Sequence, residues 1–157
     1  MRIVELPEAN RLAADLFYRV YRQPIPDFPR HFVLVCERPG QDLFVLGYVH
    51  QTQFESAYLA GGLVVDAWKF RTLAETEKQE IRGRGGMGEW LMTDSCRKVQ
   101  PCAAIFGYIG DAKALLVDTR VGFRPTGYPY LYVFAPPSAN RDELAALTTR
   151  VAALGPF

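Results

Sequence analysis

Hydrophobic and polar positions along this chain switch between a period near two and a period near 3.6, and the switches outline its elements. Arg2 to Leu6 reads as a short strand. Pro7 suits a helix start, and Leu12, Ala13, Leu16, Phe17, Val20 and Tyr21 then recur on one helical face. Pro24 stops that helix, and Pro24 to Pro29 reads as a stiff extended connection. His31 to Glu37 and Asp42 to Gln51 are two strands rich in Val, Phe and Leu, joined as a hairpin by Arg38-Pro39-Gly40-Gln41. Ala57 to Asp66 adds a third antiparallel strand. A polar helical insert follows from Ala67 to Ile81, in which Trp68 and Phe70 are expected to pack onto the core. Leu91, Met92, Ser95, Cys96 and Val99 give the next helix an apolar face that ends before Pro101. Cys102 to Ile109 is a central strand by its near-continuous apolar run. Asp111 caps a short helix that Gly122 closes. Phe123 to Phe134 returns as a strand or strand pair, with Tyr128, Tyr130 and Tyr132 expected on one face. Asn140 and Glu143 carry a capping-box signature, and Leu144, Leu147, Val151 and Leu154 make an amphipathic closing helix. That helix packs either on its own sheet or on a second copy, so a homodimer is left open.

A length of 157 residues suits one domain, residues 1–157, with an ordinary core. Hydrophobic residues at 49% and charged residues at 22% are those of a globular protein. The net charge of +1 offers no general attraction to polyanions, so neither nucleic acid nor a membrane is expected as a partner. Apolar runs such as Phe32 to Cys36 are far short of a membrane span, and the first residues lack a signal-peptide core. A cytoplasmic location is therefore the expectation. Cys36, Cys96 and Cys102 show no metal-ligand spacing, which fits a reducing compartment and no bound metal.

One stretch stands apart: Arg82-Gly83-Arg84-Gly85-Gly86-Met87-Gly88, four glycines in six positions, flanked by arginine and opening a helix. Backbone without Cβ atoms approaches an anion closely, and a helix start presents unpaired N–H groups. Gly83-x-Gly85-x-x-Gly88 formally matches the dinucleotide fingerprint. That fingerprint needs a strand just before it, whereas Leu73 to Glu80 is made of helix formers, and no acid stands about 20 positions on.

Strand, glycine loop, helix, strand, short helix, Gly-Phe, strand is an order that resembles the GNAT superfamily of acyl-CoA-dependent N-acyltransferases. The residues carrying the resemblance are Gly62-Leu63-Val64-Val65-Asp66, Gly85-Gly86-Met87-Gly88 with Leu91-Met92 behind it, Ala104 to Tyr108, and Gly122-Phe123. It implies an α/β GNAT fold, a mixed, mostly antiparallel central sheet flanked by helices. It also implies acetyl-CoA as cofactor, its pyrophosphate cradled by a Gln/Arg-x-x-Gly-x-Gly/Ala loop. Aligning Gly86-Met87-Gly88 on the end of that loop puts Gly83 where Gln or Arg is usual, and aligning Arg82 on its start leaves one residue too many. The sixteen residues between Asp66 and Gly83 also exceed the usual spacing. The implied cofactor-binding set is Leu63, Val64, Val65, Arg82, Gly83, Arg84, Gly85, Gly86, Met87, Gly88 and Asp111.

Acyl transfer to an amine needs a base for the amine, donors for the oxyanion and an acid for the departing thiolate. The family's splayed strand supplies oxyanion donors, matched here by Leu63-Val64-Val65 behind Gly61-Gly62. Its acid is often a tyrosine five residues before the Phe of Gly-Phe, where this chain has Asp118, a competent donor only if burial raises its pKa. Tyr108 is the other candidate acid. His50 is the candidate base, with Glu55 and Asp66 as alternatives acting through water. The cysteines lie on apolar faces and lack the electropositive setting of an activated thiolate. The leading expectation is an acetyl-CoA-dependent N-acetyltransferase acting on a small amine or a protein amino group by direct transfer. The alternative is a catalytically silent GNAT-like ligand-binding or regulatory module.

Overall fold

The computed structural model of this chain describes residues 1–27, 30–38, 40 and 43–157. Its elements run β1 (Arg2–Leu6), α1 (Asn10–Tyr21), β2 (Arg30–Cys36), β3 (Phe44–Phe54), β4 (Ala57–Val65), α2 (Ala67–Arg71) and α3 (Glu75–Gly83). They continue with α4 (Met87–Lys98), β5 (Ile105–Tyr108), α5 (Ala112–Val121), β6 (Arg124–Pro125), β7 (Leu131–Phe134) and α6 (Arg141–Ala152). The strands form one seven-stranded sheet in the order β1-β2-β3-β4-β5-β7-β6, antiparallel throughout except for the parallel pair β4–β5. Parts of three sequence expectations lie outside the described residues: Phe28 and Pro29 of the stiff connection, Pro39 and Gln41 of the turn, and Asp42 at the start of the second strand.

Period-two alternation in the strands sorts side chains onto two faces. Phe32, Leu34, Leu46, Val49, Ala60 and Ile105 bury against Ile81, Leu91, Met92 and Cys96, so α3 and α4 cover one face. Val33, Val35, Tyr48 and Val64 meet Ala13, Leu16 and Phe17 of α1 on the other. Farther along that second face, Leu59, Phe106 and Leu131 pack on Leu147 and Val151 of α6. The closing helix thus seats on its own sheet. Each fully buried Leu, Val or Phe contributes about 1.5–3 kcal/mol, which makes this two-sided burial the main stabilising contribution.

Helix boundaries follow the caps. Asn140 Oδ1 accepts from the amides of Asp142 (2.9 Å) and Glu143 (3.2 Å), and Asp111 Oδ1 accepts from Lys113 (2.9 Å) and Ala114 (3.0 Å). Gly122, at φ 113°, ends α5 in the left-handed conformation. The insert divides into α2, capped by Asp66, and α3. Trp68 departs from expectation: it is 69% exposed, because a five-residue helix has room to bury only one face and Phe70 takes it. The tyrosine stripe departs as well. Only Tyr132 lies in a strand, whereas Tyr130 sits in a turn at φ 64°, so the three do not share a strand face.

Two irregularities interrupt the middle of the sheet. Pairing of β4 with β3 jumps from His50–Gly61 to Tyr48–Val64, so Gly62 and Leu63 together oppose Val49 in a bulge. Pairing of β4 with β5 runs only from Tyr58–Ile105 to Ala60–Gly107, after which the two strands diverge. Gly62 sits at φ 64°, and a Cβ there would lie 2.6 Å from Phe17 Cε2 and 2.7 Å from His50 Cε1. Gly62→Ala is expected to cost roughly 2–4 kcal/mol through backbone strain and overlap. The midpoint of a circular-dichroism melt should fall by roughly 5–15 °C, whereas Gly83→Ala, whose Cβ meets nothing within 4 Å, should leave it nearly unchanged.

Candidate active site

Divergence of β4 from β5 opens a cleft lined by Leu63, Tyr108, Asp111 and Asp118, with Tyr21 and Phe157 at its edge. A second, more apolar pocket adjoins it on the α1 side, lined by Phe17, His50 and Leu59 among others, and shares Tyr21, Gly62 and Phe157 with the first. The structure therefore brings four of the sequence candidates (Leu63, Tyr108, Asp111 and Asp118) into one cleft and places His50 in the adjoining pocket. His50 reaches this region from the sheet face that α1 covers, and Asp118 from the helices on the opposite face.

Asp118 is 4% exposed, and its Oδ1 is enclosed without a hydrogen-bond partner among the described residues. Burial pushes its pKa up to about 7, and the nearby Asp111 carboxylate adds to the rise. The ordinary objection to an aspartate as proton donor to a thiolate is thereby removed. Asp111 itself is spent on capping α5. Tyr108 is half-buried, its ring edge-on to Phe157 at 6.1 Å and 6.0 Å from Tyr130.

His50 and Gly61 are cross-strand neighbours, and a Cβ at Gly61 would fall 2.6 Å from His50 Nε2. Two successive glycines thus admit the imidazole against the bulge. Burial lowers the His50 pKa to about 4, with His31 contributing in the same direction, so the ring is neutral at physiological pH. Tyr21, which the sequence pattern assigns only to a helix face, donates from its hydroxyl to the Leu63 carbonyl (2.9 Å) and ties α1 to the bulge. On β4 itself, Leu63 faces the α4 side, Val64 is buried toward α1, and Val65 is partly exposed.

The two alternative bases are engaged elsewhere. For Asp66, burial favours the neutral form, but the amide of Lys69 and the Arg19 guanidinium (2.7 Å) outweigh it and hold the carboxyl below its ordinary range. Glu55 is exposed at the β3–β4 turn, where its bond to Arg150 (2.7 Å) lowers its pKa. The cysteines are all free, with burial as the leading cause raising each pKa.

The glycine loop joins two helices, so the dinucleotide fingerprint has no strand before it. Its amides divide into two groups. Those of Arg84 (3.1 Å), Gly85 (3.0 Å) and Gly86 (3.0 Å) donate to the carbonyls of Ile81 and Arg82 and thereby terminate α3. Those of Met87, Gly88 and Glu89 begin α4 and have no intrahelical acceptor, so they are the groups available to an anion. Arg82 pairs with Glu75 at 2.5 Å, and the Arg84 guanidinium stacks 4.2 Å over Trp90. Gly88 serves close packing: its Cβ position is 3.3 Å from Val117 of α5 and 3.8 Å from Leu63. Sequence reasoning missed Glu89, whose carboxylate lies where a Cβ on Gly85 would stand and 3.9 Å from Arg120. Glu89 is the third residue of a helix that Gly86 caps, and that spacing was the available signal.

No family model matches the chain, and no curated protein matches it. Solved structures do. A point mutant of the AtaT toxin bound to the C-terminus of the antitoxin AtaR is 17% identical over 96% of each chain, with a TM-score of 0.50. AtaTR bound with AcCoA is 16% identical over 96% of this chain and 97% of that one, at 0.45. A KacTA–DNA complex is 13% identical over 97% and 99%, at 0.46. These are GNAT-fold toxins. The DNA complex corrects the expectation that nucleic acid is no partner, since one structural neighbour of the chain is found assembled with DNA. Among the described residues no helix is long and apolar enough to cross a membrane.

A buried carboxyl of raised pKa gives a signed prediction. Folding favours the protonated form of Asp118, so its contribution is fully present below its ordinary pKa of 3.8 and is lost as pH rises through about 7. Asp118→Asn should be more stable than wild type at pH 8 by roughly 2–4 kcal/mol, with the gap closing toward pH 4. Melts between pH 4 and 8 check this. The arrangement that supports these residues, a mostly antiparallel sheet opened between one parallel pair, is the GNAT fold.

Proposed function

We propose that this protein is an acetyl-CoA-dependent N-acetyltransferase that transfers its acyl group directly to an amine. One observation carries the reading: the cleft between β4 and β5 has a bulged backbone on one wall and a buried, partner-seeking carboxyl on the other. Acetyl-CoA would lie along this cleft. The amides of Met87, Gly88 and Glu89 would hold its pyrophosphate, and Leu63 to Val65 would lie beside its acyl end. When bound, acetyl-CoA supplies a thioester carbonyl poised for attack.

This chain's own residues would do the rest. Backbone N–H groups of the bulge, freed where pairing with β5 stops, stabilise the oxyanion. Tyr21 fixes the bulge by holding the Leu63 carbonyl. His50, neutral and set against Gly61, accepts the proton that the amine must lose. Asp118, protonated up to about pH 7, returns a proton to the thiolate. The adjoining apolar pocket beside Phe17 and Leu59 receives the acceptor, a small amine or a protein amino group.

A thermal-shift titration with acetyl-CoA, free CoA and NADH tests the binding half. Acetyl-CoA at a hundredfold over its dissociation constant should add about 2.7 kcal/mol, and NADH should add nothing. Saturable thiol release across an amine panel tests the transfer half, and Asp118→Asn should lower kcat by about 10² or more. Absence of any shift with both CoA compounds would refute the assigned cleft.

One feature favours the second reading, a catalytically silent module: the Glu89 carboxylate already stands at the anion-binding start of α4. A carboxylate there is worth roughly 0.3–1 kcal/mol to the helix and competes with phosphate for the same amides. Glu89→Gln should therefore tighten acetyl-CoA binding about two- to fivefold, as read by isothermal titration.

A further inference from the structure

We propose that the acceptor is a small primary amine with a single positive charge and a flat apolar body such as a phenyl ring, seated with that body beside Phe17 and its nitrogen at Gly62. The inference rests on the acetyl-transfer reading and names the substrate class of that same site. Tyr21, Gly62 and Phe157 line both the donor cleft and the adjoining pocket, so they mark the passage between the two. The acceptor's nitrogen has to meet the thioester carbon at that passage. Whatever else the acceptor carries is left in the pocket.

The pocket has an apolar floor and an aromatic rim. Phe17 (1% exposed) and Leu59 (7%) belong to the floor, whereas Tyr21 (39%) and Phe157 (37%) stand at the rim. Each rim ring is held by its neighbours. Tyr21 tilts against Phe17 with ring centroids 4.6 Å apart and is fixed to the Leu63 carbonyl through its hydroxyl, and Phe157 rests edge-on against Tyr108. Walls of this kind favour an apolar or aromatic partner. Strand register adds Thr52, which pairs with Leu59 across β3 and β4 and is uncharged. The pocket volume of about 380 Å³ lies toward the small end for ligand sites, which suits a small amine better than a length of polypeptide.

Negative charge lies on the other side of the passage. Asp111 and Asp118 line the cleft, and no acid is among the described residues that line the pocket. Asp111 is near enough to Tyr21 to add to the rise that burial causes in the tyrosine's pKa. An ammonium arriving at the passage is therefore drawn toward the cleft, where it gives up its proton before attack. A second ammonium carried into the pocket would leave water without a carboxylate to meet it, which is costly. The reaction balances with no further reagent: the amine nitrogen bonds to the acyl carbon, and the carbon–sulfur bond breaks with its electron pair on sulfur. The amine loses one proton and the thiolate gains one, leaving the N-acetyl amide and free CoA thiol.

Thiol release with phenethylamine, butylamine and cadaverine at saturating acetyl-CoA tests the assignment. The kcat/KM for phenethylamine should exceed that for butylamine by about tenfold or more and that for cadaverine by about 10²-fold. Equal or better turnover of butylamine, cadaverine or a lysine-containing peptide would overturn the inference while leaving acetyl transfer intact. Thr52→Asp puts a carboxylate in the pocket and should raise the cadaverine-to-phenethylamine ratio of kcat/KM about tenfold. A merely structural defect would lower both rates together, and an unchanged ratio in a folded variant would overturn the inference. Phe157→Ala, at the exposed rim, should raise KM for phenethylamine about three- to tenfold more than KM for butylamine, and an equal change for both would count against it. Isothermal titration of phenethylamine into the protein saturated with free CoA reads the pocket apart from catalysis. No binding of phenethylamine, in a protein that releases thiol with another amine, would overturn this inference alone. Binding without thiol release would instead refute the acetyl-transfer reading, and with it the acceptor role.

Discussion

The candidate site depends on one break in sheet regularity, the bulge of β4 at Gly62 and Leu63. Two residues facing one on β3 turn the strand away from β5, and pairing ends at Ala60–Gly107. Beyond that point Gly61, Gly62 and Leu63 on one strand and Tyr108 on the other line a cleft instead of continuing the ladder. Without flanking helices such an opening would expose the core, so α1 braces one side and α4 with α5 the other. The Tyr21–Leu63 hydrogen bond and the packing of Val117 beside Gly88 are the contacts that hold those helices at the opening.

Glycine serves three separate needs around this break. At Gly61 and Gly62 it makes room for the His50 ring and allows a positive φ. At Gly85 and Gly86, each at positive φ, it lets α3 end and α4 begin with three residues between them. At Gly88 it permits α4 to approach α5 closely. A glycine-rich motif is therefore less a phosphate cradle as a whole than a hinge whose last residues present amides. The N–H groups of Arg84, Gly85 and Gly86 are consumed in closing the preceding helix.

Charge is distributed unusually around the cleft. Neither titratable group assigned to proton transfer has a solvent-like environment: burial keeps His50 neutral and keeps Asp118 protonated toward pH 7. An acid and a base whose pKa values are displaced in opposite directions are in the protonation states that direct acyl transfer requires, since the base must begin empty and the acid full. Burial of Asp118 destabilises the fold at alkaline pH, where its carboxyl must ionise, and burial of His50 does so in acid, where its ring must charge.

Much of the architecture was legible in the chain alone. Runs rich in Val, Phe and Leu located the strands, helical spacing located α1, α4 and α6, and Asp111, Gly122 and Asn140 marked helix ends, because composition, caps and periodicity are local properties. The likeness of Gly62 to Asp66 and Gly85 to Gly88 to a known superfamily supplied the fold. Local pattern failed where tertiary partners decide. Trp68 was expected in the core and lies in solvent, since which face of a short helix is covered depends on what packs there. The tyrosine stripe broke because a turn at Tyr130 interrupts the strand. Asp118 was read as a weak candidate because an isolated aspartate has an ordinary pKa, and only enclosure between α4, α5 and the cleft changes it. His31, Tyr48 and His50 were three unrelated residues in sequence. Strand register set His31 and His50 side by side, and the Tyr48 hydroxyl stands within hydrogen-bond distance of both rings.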